Sequence, residues 1–518
     1  MDNTDNNNKQ DHYKRFNGHK NKFHTELCSD NLTFQDCELE ILRNAVDETE
    51  KLKGKKMANN EEIKNILSIL ENFLIKKKLV CYGGTAINNI LPASVQFYDR
   101  DLEIPDYDFY SPDAVEDAKE LADIYFKEGY LEIEAKAGVH FGTYKVFVNF
   151  IPIADITYLN RKLFTEIFKD SIKINGIHYA PANFLRMNMY LELSRPTGDV
   201  SRWEKVLKRL TLLNQFYPLN PRINCSTIDF QRKMDSNTHE SDKLYYTVRD
   251  AFINQGVVFF GGYASSLYSR YMPKNERRII NKIPDFDVLS EDPDRTAIVL
   301  KELLQPNYKQ VFTIKHEAIG EIIPERIELR VGKETLAFIY KPIACHSYNI
   351  IQRCAIDNSL KMCFDNNRKD NNSQEIKVAT IDTILSFYLA FTYAGEPYYN
   401  KDRLLCMSKF LFDVEQKNRL EQKGLLKRFS IDCYGNQKTL EEIRSEKTKK
   451  FKELIQDRNS VEYTAWFLKY NPLQKKNVIK PIKLIKTNTD KSRSRSRSRS
   501  RNKPNSRRKT RSNSKYLI

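Results

Sequence analysis

Residues 82–88 read YGGTAIN and residues 104–111 read IPDYDFYS; further along, 260–266 read FGGYASS and 283–290 read IPDFDVLS. Gly84 to Asp106 is 22 positions and Gly262 to Asp285 is 23. Two phrases repeated in one order at nearly one interval point to a duplicated unit. Each phrase has the same local grammar. A short apolar run (LVCY, VVFF) ends in a Gly pair and a helix-forming stretch follows, which reads as buried strand, tight turn and helix. DYDFYS and DFDVLS read as second strands.

The chemistry is carried by acids. Asp106 and Asp108 lie two apart on an expected strand, so both carboxylates project to one face while Tyr107 points to the other. Their Cα atoms are roughly 7 Å apart at about 3.3 Å rise per residue, a spacing that suits hard divalent cations. Asp155 ends the apolar run NFIPIAD. An unpaired carboxylate inside a buried strand is costly, and a bound metal accounts for it. Gly83 and Gly84 let backbone approach phosphate oxygens, the following helix N-terminus offers free N–H groups, and Thr85 adds a hydroxyl. Alone, a Gly pair is usually a turn, a D-x-D is usually surface, and a buried Asp is usually a satisfied structural acid. In this order, together, they read as a nucleoside triphosphate on a Gly-rich turn with metals held by three carboxylates, set for in-line displacement at the α-phosphate.

Aligning PIADITY (152–158) with PIACHSY (342–348) sets Cys345 where the first half has Asp155, and Tyr263 falls where it has Thr85. A thiol is a poor magnesium ligand. The first half is therefore expected to be active and the second, which keeps Asp285 and Asp287, to be a degenerate copy serving folding, RNA binding or dimerisation. A lesser alternative leaves one metal on Asp285 and Asp287.

The expected architecture is α+β: tandem mixed sheets flanked by helices. The divisions are a polar N-terminal segment (1–60), the active domain with following helices (61–220), a linker (221–240), the degenerate domain (241–475) and a basic tail (476–518). Helices are expected at 36–53, in EEIKNILSILENFLIKKK and DAVEDAKELADIYFKEGY, and from Ala180 to Tyr217; YKVFVNFIPIADITYL reads as a strand pair. A polar loop, FDNNRKDNNSQE, interrupts the second half alone. At 518 residues with 40% hydrophobic content, two or three cores are expected. The most apolar segment, 378–395, contains Asp382 and reads as a buried helix rather than a membrane span. No secretory signal is visible in the polar start. Nine scattered cysteines with no C-x-x-C pair argue against zinc and for a reduced intracellular compartment. The stretch 491–515 carries twelve Lys or Arg and no acid, most of the net charge of +17. Such a tail is expected to be disordered and to attract polyanions such as RNA.

The G-G-[ST] turn, the D-x-D strand and the third Asp resemble the nucleotidyltransferase fold of the DNA polymerase beta superfamily. YGGTAIN, DYDFYS, MNMYLELSRPTGDVSRWEKVLKRLTLLN and EYTAWFLKYNP narrow this. They resemble the poly(A) polymerase catalytic subunits of large cytoplasmic DNA viruses, of the giant-virus (Mimivirus) type and, more distantly, the poxvirus type, over approximately 61–471. The resemblance implies template-independent transfer of AMP from ATP to an RNA 3′ end with Mg²⁺ or Mn²⁺. Gly83, Gly84 and Thr85 would hold the triphosphate, Asp106, Asp108 and Asp155 the metals, and Asp155 would help activate the 3′-hydroxyl. Arg202 and Lys205, in DVSRWEKVLKR, are candidates for triphosphate contacts beside the reading of a solvated basic face. A homodimer and a separate processivity subunit are both open, no membrane partner is implied, and the implied location is the infected-cell cytoplasm, with packaging in the virion as a variant. The alternatives are transfer of UMP or CCA, oligonucleotide synthesis, and an inactive RNA-binding scaffold.

Overall fold

The computed structural model describes residues 32–99, 102, 104–232, 239–278, 285–353 and 374–477. The Arg/Ser-rich stretch, nearly all of the polar loop after Cys363, and Cys28, Cys354 and Cys363 lie outside them. The chain divides into two units, Met1–Leu473 and Gln474–Ile518; of the second only 474–477 are described. Everything below concerns the first.

Its architecture is α+β. The helix Glu61–Lys77 shows how local sequence delivers the site. The Asn60 side chain accepts from the Glu62 N–H, Ile63, Ile66, Leu70, Phe73 and Leu74 form a buried stripe at helical spacing, and Lys78 ends the helix in a left-handed conformation (φ 54°). The chain then enters strand β1 (Val80–Tyr82). The expected helices at 36–53 and in 113–130 form as Phe34–Ala58 and Ala114–Lys127. The apolar segment after Val378 forms the helix Ile381–Phe391, buried at every residue, and its Asp382 pairs with Arg428 at 2.8 Å. Among the described residues no helix is long and apolar enough to cross a membrane.

The remaining strands are β2 (Tyr107–Ser111), β3 (Ile133–Ala137), β4 (Thr143–Val148), β5 (Ile151–Tyr158), β6 (Ile172–Ile174), β7 (Ile177–Tyr179), β8 (Val258–Phe259), β9 (Phe286–Leu289), β10 (Val311–His316), β11 (Arg326–Val331), β12 (Glu334–Tyr340), β13 (His346–Arg353), β14 (Gln374–Ala379), β15 (Cys433–Tyr434) and β16 (Lys469–Tyr470). They form two eight-stranded mixed sheets, ordered β16-β3-β4-β5-β2-β1-β7-β6 and β10-β11-β12-β9-β8-β14-β13-β15. In the first, β2 runs parallel to β5 and antiparallel to β1; in the second, β9 runs parallel to β12 and antiparallel to β8. β16 pairs with β3, Lys469 opposite Lys136, so the end of the stretch expected to belong with 241–475 closes the edge of the first sheet instead. Edge pairing of this kind is set by distant backbone, which local pattern does not report.

The register corrects the alignment drawn from sequence. The strand parallel to β9 is β12, and Phe338 stands opposite Asp287. Phe338, not Cys345, therefore holds the place that Asp155 holds beside Asp108 in the first sheet. Cys345 lies between β12 and β13 and is disulfide-bonded to Cys433; Cys225 and Cys406 form a second disulfide. The expectation of reduced thiols is corrected for these four and for Cys37, which is also disulfide-bonded, while Cys81 is free and buried. Tyr263 does not fill a phosphate site: its ring packs into the core, 4.7 Å from Phe259 and 5.7 Å from Phe286. What faces the second acidic pair is Arg232. Its guanidinium pairs with Asp285 and, at 3.3 Å, with Asp287, its N–H donates to Asp285 Oδ2 at 2.8 Å, and its Cζ lies 4.8 Å from the Phe338 ring centroid. Burial works against this charge, but Asp285 and Asp287 more than restore it and hold it above the ordinary arginine range. A fixed internal cation answers both carboxylates and competes with a metal there.

Removing Arg232 would strand two buried carboxylates. Arg232→Met should lower the free energy of urea unfolding by about 3–5 kcal/mol. Adding Asp285→Asn and Asp287→Asn to the same chain should recover most of that loss. A single Arg232→Met variant as stable as wild type would contradict the ion-pair reading.

Candidate active site

β1, β2, β5 and β4 are consecutive in the first sheet and in register, with Tyr82 opposite Asp108, Asp108 opposite Asp155, and Asp155 opposite Lys145. Directly opposed residues share a sheet face, so one row of polar groups crosses four strands. Tyr107 turns to the other face, is fully buried, and donates to Glu71 Oε1 at 2.5 Å. The alternation expected for DYD is thus realised. Asp106 precedes β2 at the open rim, while Asp108 and Asp155 are half-buried.

The three carboxylates feel one another. Burial, then the charges of Asp106 and Asp155, push Asp108 up to about 7, with Lys145 and Arg202 pulling it down. Asp106 is raised by desolvation of its carboxyl and then by Asp155, against Lys145 and Lys205. The Lys145 ammonium holds Asp155 Oδ2 at 2.5 Å. Among the described residues no three acidic, histidine or cysteine side chains stand around one metal-sized point. The donor set itself is all carboxylate, overcharged at close range and without thiol or imidazole, which is the chemistry that hard divalent ions answer.

Gly83 opens the helix Gly83–Ile90 at φ +74°, and a Cβ there would lie 2.5 Å from Asp108 Oδ2. A Cβ on Gly84 would lie 2.6 Å from the Tyr98 hydroxyl and 2.9 Å from Arg209 Nη1. The glycines therefore admit a carboxylate and a guanidinium to the turn, in addition to exposing its N–H groups. Thr85 differs from expectation in part. Its hydroxyl is buried and donates to the Asp106 carbonyl at 2.6 Å, which ties the turn to the acidic strand. The proton expected for phosphate is directed inward, and a lone pair is what the oxygen retains.

Arg202 and Lys205 stand where their charges reach Asp108 and Asp106 respectively. Arg202 also pairs with Glu192 at 3.2 Å. The sequence reading missed Lys145, Tyr82 and Arg209. For Lys145 a signal existed, since it is the lone cation in the alternating run TYKVFV (143–148); its meaning depends on the β4–β5 register. Arg209 donates from Nη2 to the Tyr98 hydroxyl at 2.5 Å, and its Cζ lies 4.8 Å from the Phe97 ring and 5.4 Å from the Tyr98 ring. A cavity of about 230 Å³ opens beside the turn, lined by Thr85, Asn88, Tyr98, Pro105 and Asp106 among others.

The raised Asp108 has a consequence for stability. Unfolded aspartate titrates near about 3.9, whereas folded Asp108 titrates at about 7. The folded state holds the extra proton between these values, so Asp108's contribution to stability falls as pH rises from about 4 to about 7. In a chelator, the melting temperature difference between Asp108→Asn and wild type should grow in favour of the variant across that window. A difference that is flat with pH would contradict the assignment.

Residues 68–199, which contain the Gly turn and all three acids, match the family model for the poly(A) polymerase catalytic subunit. An African swine fever virus protein (Tick/Malawi isolate) named for such a subunit is 30% identical over 238 residues, 45% of this chain and 46% of its own. An Acanthamoeba polyphaga mimivirus protein of the same naming is 25% identical over 283 residues, 52% of this chain and 47% of its own. This chain thus spans about half the length of the curated relatives it matches. The crystal structure of the Megavirus polyadenylate synthase superposes with a TM-score of 0.69 at 19% identity, covering 89% of each chain. In fold the chain is similar to that viral polyadenylate synthase, and in the segment that carries the site it is similar to viral poly(A) polymerase catalytic subunits.

Proposed function

We propose that the chain is a template-independent polynucleotide adenylyltransferase, adding AMP from ATP to the 3′ end of viral mRNA. The observation that carries this is the register of β2 against β5, which sets Asp155 beside Asp108, with Asp106 and the Gly83–Thr85 turn adjoining. In the reaction the RNA 3′-oxygen bonds to the α-phosphorus, the bond to the bridging oxygen breaks, pyrophosphate leaves, and the 3′-hydroxyl loses its proton. The N–H groups opening the helix Gly83–Ile90 face the triphosphate, with Arg202 and Lys205 supplying cationic contacts. Lys145 fixes the orientation of Asp155, which would help activate the incoming hydroxyl. Asp106, Asp108 and Asp155 would hold Mg²⁺ or Mn²⁺. Such ions, when bound, lower the pKa of the attacking hydroxyl and stabilise the leaving pyrophosphate.

The second lobe is a degenerate copy in this reading. The same order of seven strands and the same parallel pairing of the acidic strand support duplication. The replacement of the third acid by Phe338 and the Arg232 ion pairs support loss of the site. That lobe, in the same chain, then serves folding, RNA contact or assembly, either as a homodimer or with a separate processivity subunit, in the infected-cell cytoplasm.

Extension of a labelled RNA primer with each of the four nucleoside triphosphates tests the proposal. ATP should extend it, and Asp106→Ala with Asp108→Ala should cut transfer by about 10³-fold or more, while RNA affinity stays within about twofold. Extension with UTP or CTP alone would reassign the base, and transfer that survives the double replacement would refute the site.

A further inference from the structure

Arg202, Lys205 and Arg209 follow at i, i+3 and i+7 into the helix Trp203–Phe216, a spacing that places them along one helical side. Their surroundings differ. Arg202 shares its charge with Glu192 at 3.2 Å. Arg209 forms no ion pair with the described residues; its one hydrogen bond there is to the neutral Tyr98 hydroxyl, at 2.5 Å. It is held in place by two aromatic faces, Phe97 and Tyr98, at 4.8 and 5.4 Å. A guanidinium has five N–H donors in a planar fork, so a half-buried one tied to a single neutral acceptor keeps most of its donors for another partner. Its Nη1 lies against Gly84, close enough that a single methyl on that residue would meet it at 2.9 Å. That is the second residue of the helix Gly83–Ile90, whose first turn has no side-chain cap and lies against Asp108 at Gly83.

We infer that Arg209 is a triphosphate-binding residue, its guanidinium fork directed by Phe97 and Tyr98 to take the phosphate oxygens seated at the Gly83–Thr85 turn. This rests on the nucleotidyltransferase reading above and deepens it, since the residue lies four positions, one helical turn, beyond Lys205, the nearest basic residue that the sequence had suggested. The geometry divides the roles. Tyr98 positions: its hydroxyl accepts from Nη2 and its ring limits the swing of the guanidinium. Arg209 binds, adding positive charge where the helix end already favours an anion. Gly84 is a glycine because the guanidinium and the Tyr98 hydroxyl occupy the space a side chain would need. A bidentate fork meeting two phosphate oxygens is not reproduced by a point charge, so lysine should restore only part of the affinity.

The test uses the full chain and measures equilibrium binding of ATP and of AMP, with primer extension alongside, for wild type, Arg209→Gln, Arg209→Lys and Tyr98→Phe. Arg209→Gln should weaken ATP binding and raise the KM for ATP by about tenfold or more. AMP binding should shift by less, because the contact is to the outer phosphates. Arg209→Lys should fall between, and Tyr98→Phe should show a milder form of the same ATP-selective loss. Melting curves identify any loss that comes from unfolding; if Arg209→Gln melts early, Arg209→Lys decides by the same ATP-to-AMP comparison. Unchanged ATP affinity in a folded Arg209→Gln, or equal losses for ATP and AMP, would overturn the inference and leave the polymerase reading standing. Wild type that binds no ATP would overturn the polymerase reading itself, and the inference with it.

Discussion

The parallel pairing of β2 with β5 is the constraint on which the rest of the structure depends. Tyr107 lies opposite Ala154 and Asp108 opposite Asp155. A slip of one residue would turn Asp155 to the far face of the sheet and set Ala154 or Ile156 in its place. The register is held by what those neighbours bury. Phe109, Ala154 and Ile156 are almost wholly excluded from solvent, as are Leu121 and Tyr125 of the helix Ala114–Lys127, and helix and strand meet on one side of the sheet. Apolar burial on one face thus fixes the position of the acids on the other. The acidic face carries an electrostatic cost, visible in the raised Asp106 and Asp108, and Lys145 offsets part of it.

The second sheet shows the same framework with that cost removed by other means. Phe338 stands opposite Asp287 and Glu328 opposite Phe338, where the first sheet has Asp155 and Lys145 in sequence from Asp108. Glu328 is answered by His316 at 2.9 Å and by Thr335 at 2.5 Å, and the acidic pair by Arg232. The first row keeps an excess of negative charge, while the acids of the second are answered within the chain. An arginine cannot be displaced without leaving buried carboxylates uncompensated, so the second row is a structural element.

The legible parts of this protein were those encoded by neighbours in sequence. The Gly pair before a helix, the D-x-D alternation and an acid ending an apolar strand each declare themselves within a few residues, and the register sets Asp155 beside Asp108, with Asp106 just before the same strand. The helix around Asp382 was readable because an acid in an apolar run favours a buried helix over a membrane span; its partner, Arg428, lies far along the chain and was not. What was not legible depended on pairings between distant segments. PIADITY and PIACHSY look alike locally, yet the strand that lies beside β9 is β12, and Cys345 sits beyond its end. Nothing near Lys469 predicts that it closes the first sheet, and nothing near Arg209 predicts Tyr98 as its partner. The role of Arg232 was hidden because it lies in a stretch that composition marks as a linker.

The central claim is that exchangeable cations belong to the first row and a built-in cation to the second. Counting bound Mn²⁺ by electron paramagnetic resonance, with ATP present, tests this on the full chain. Asp285→Asn with Asp287→Asn should leave the count at the wild-type value, while Asp106→Asn with Asp108→Asn should abolish it. A count that falls when the second pair is removed, or survives removal of the first, would contradict the account.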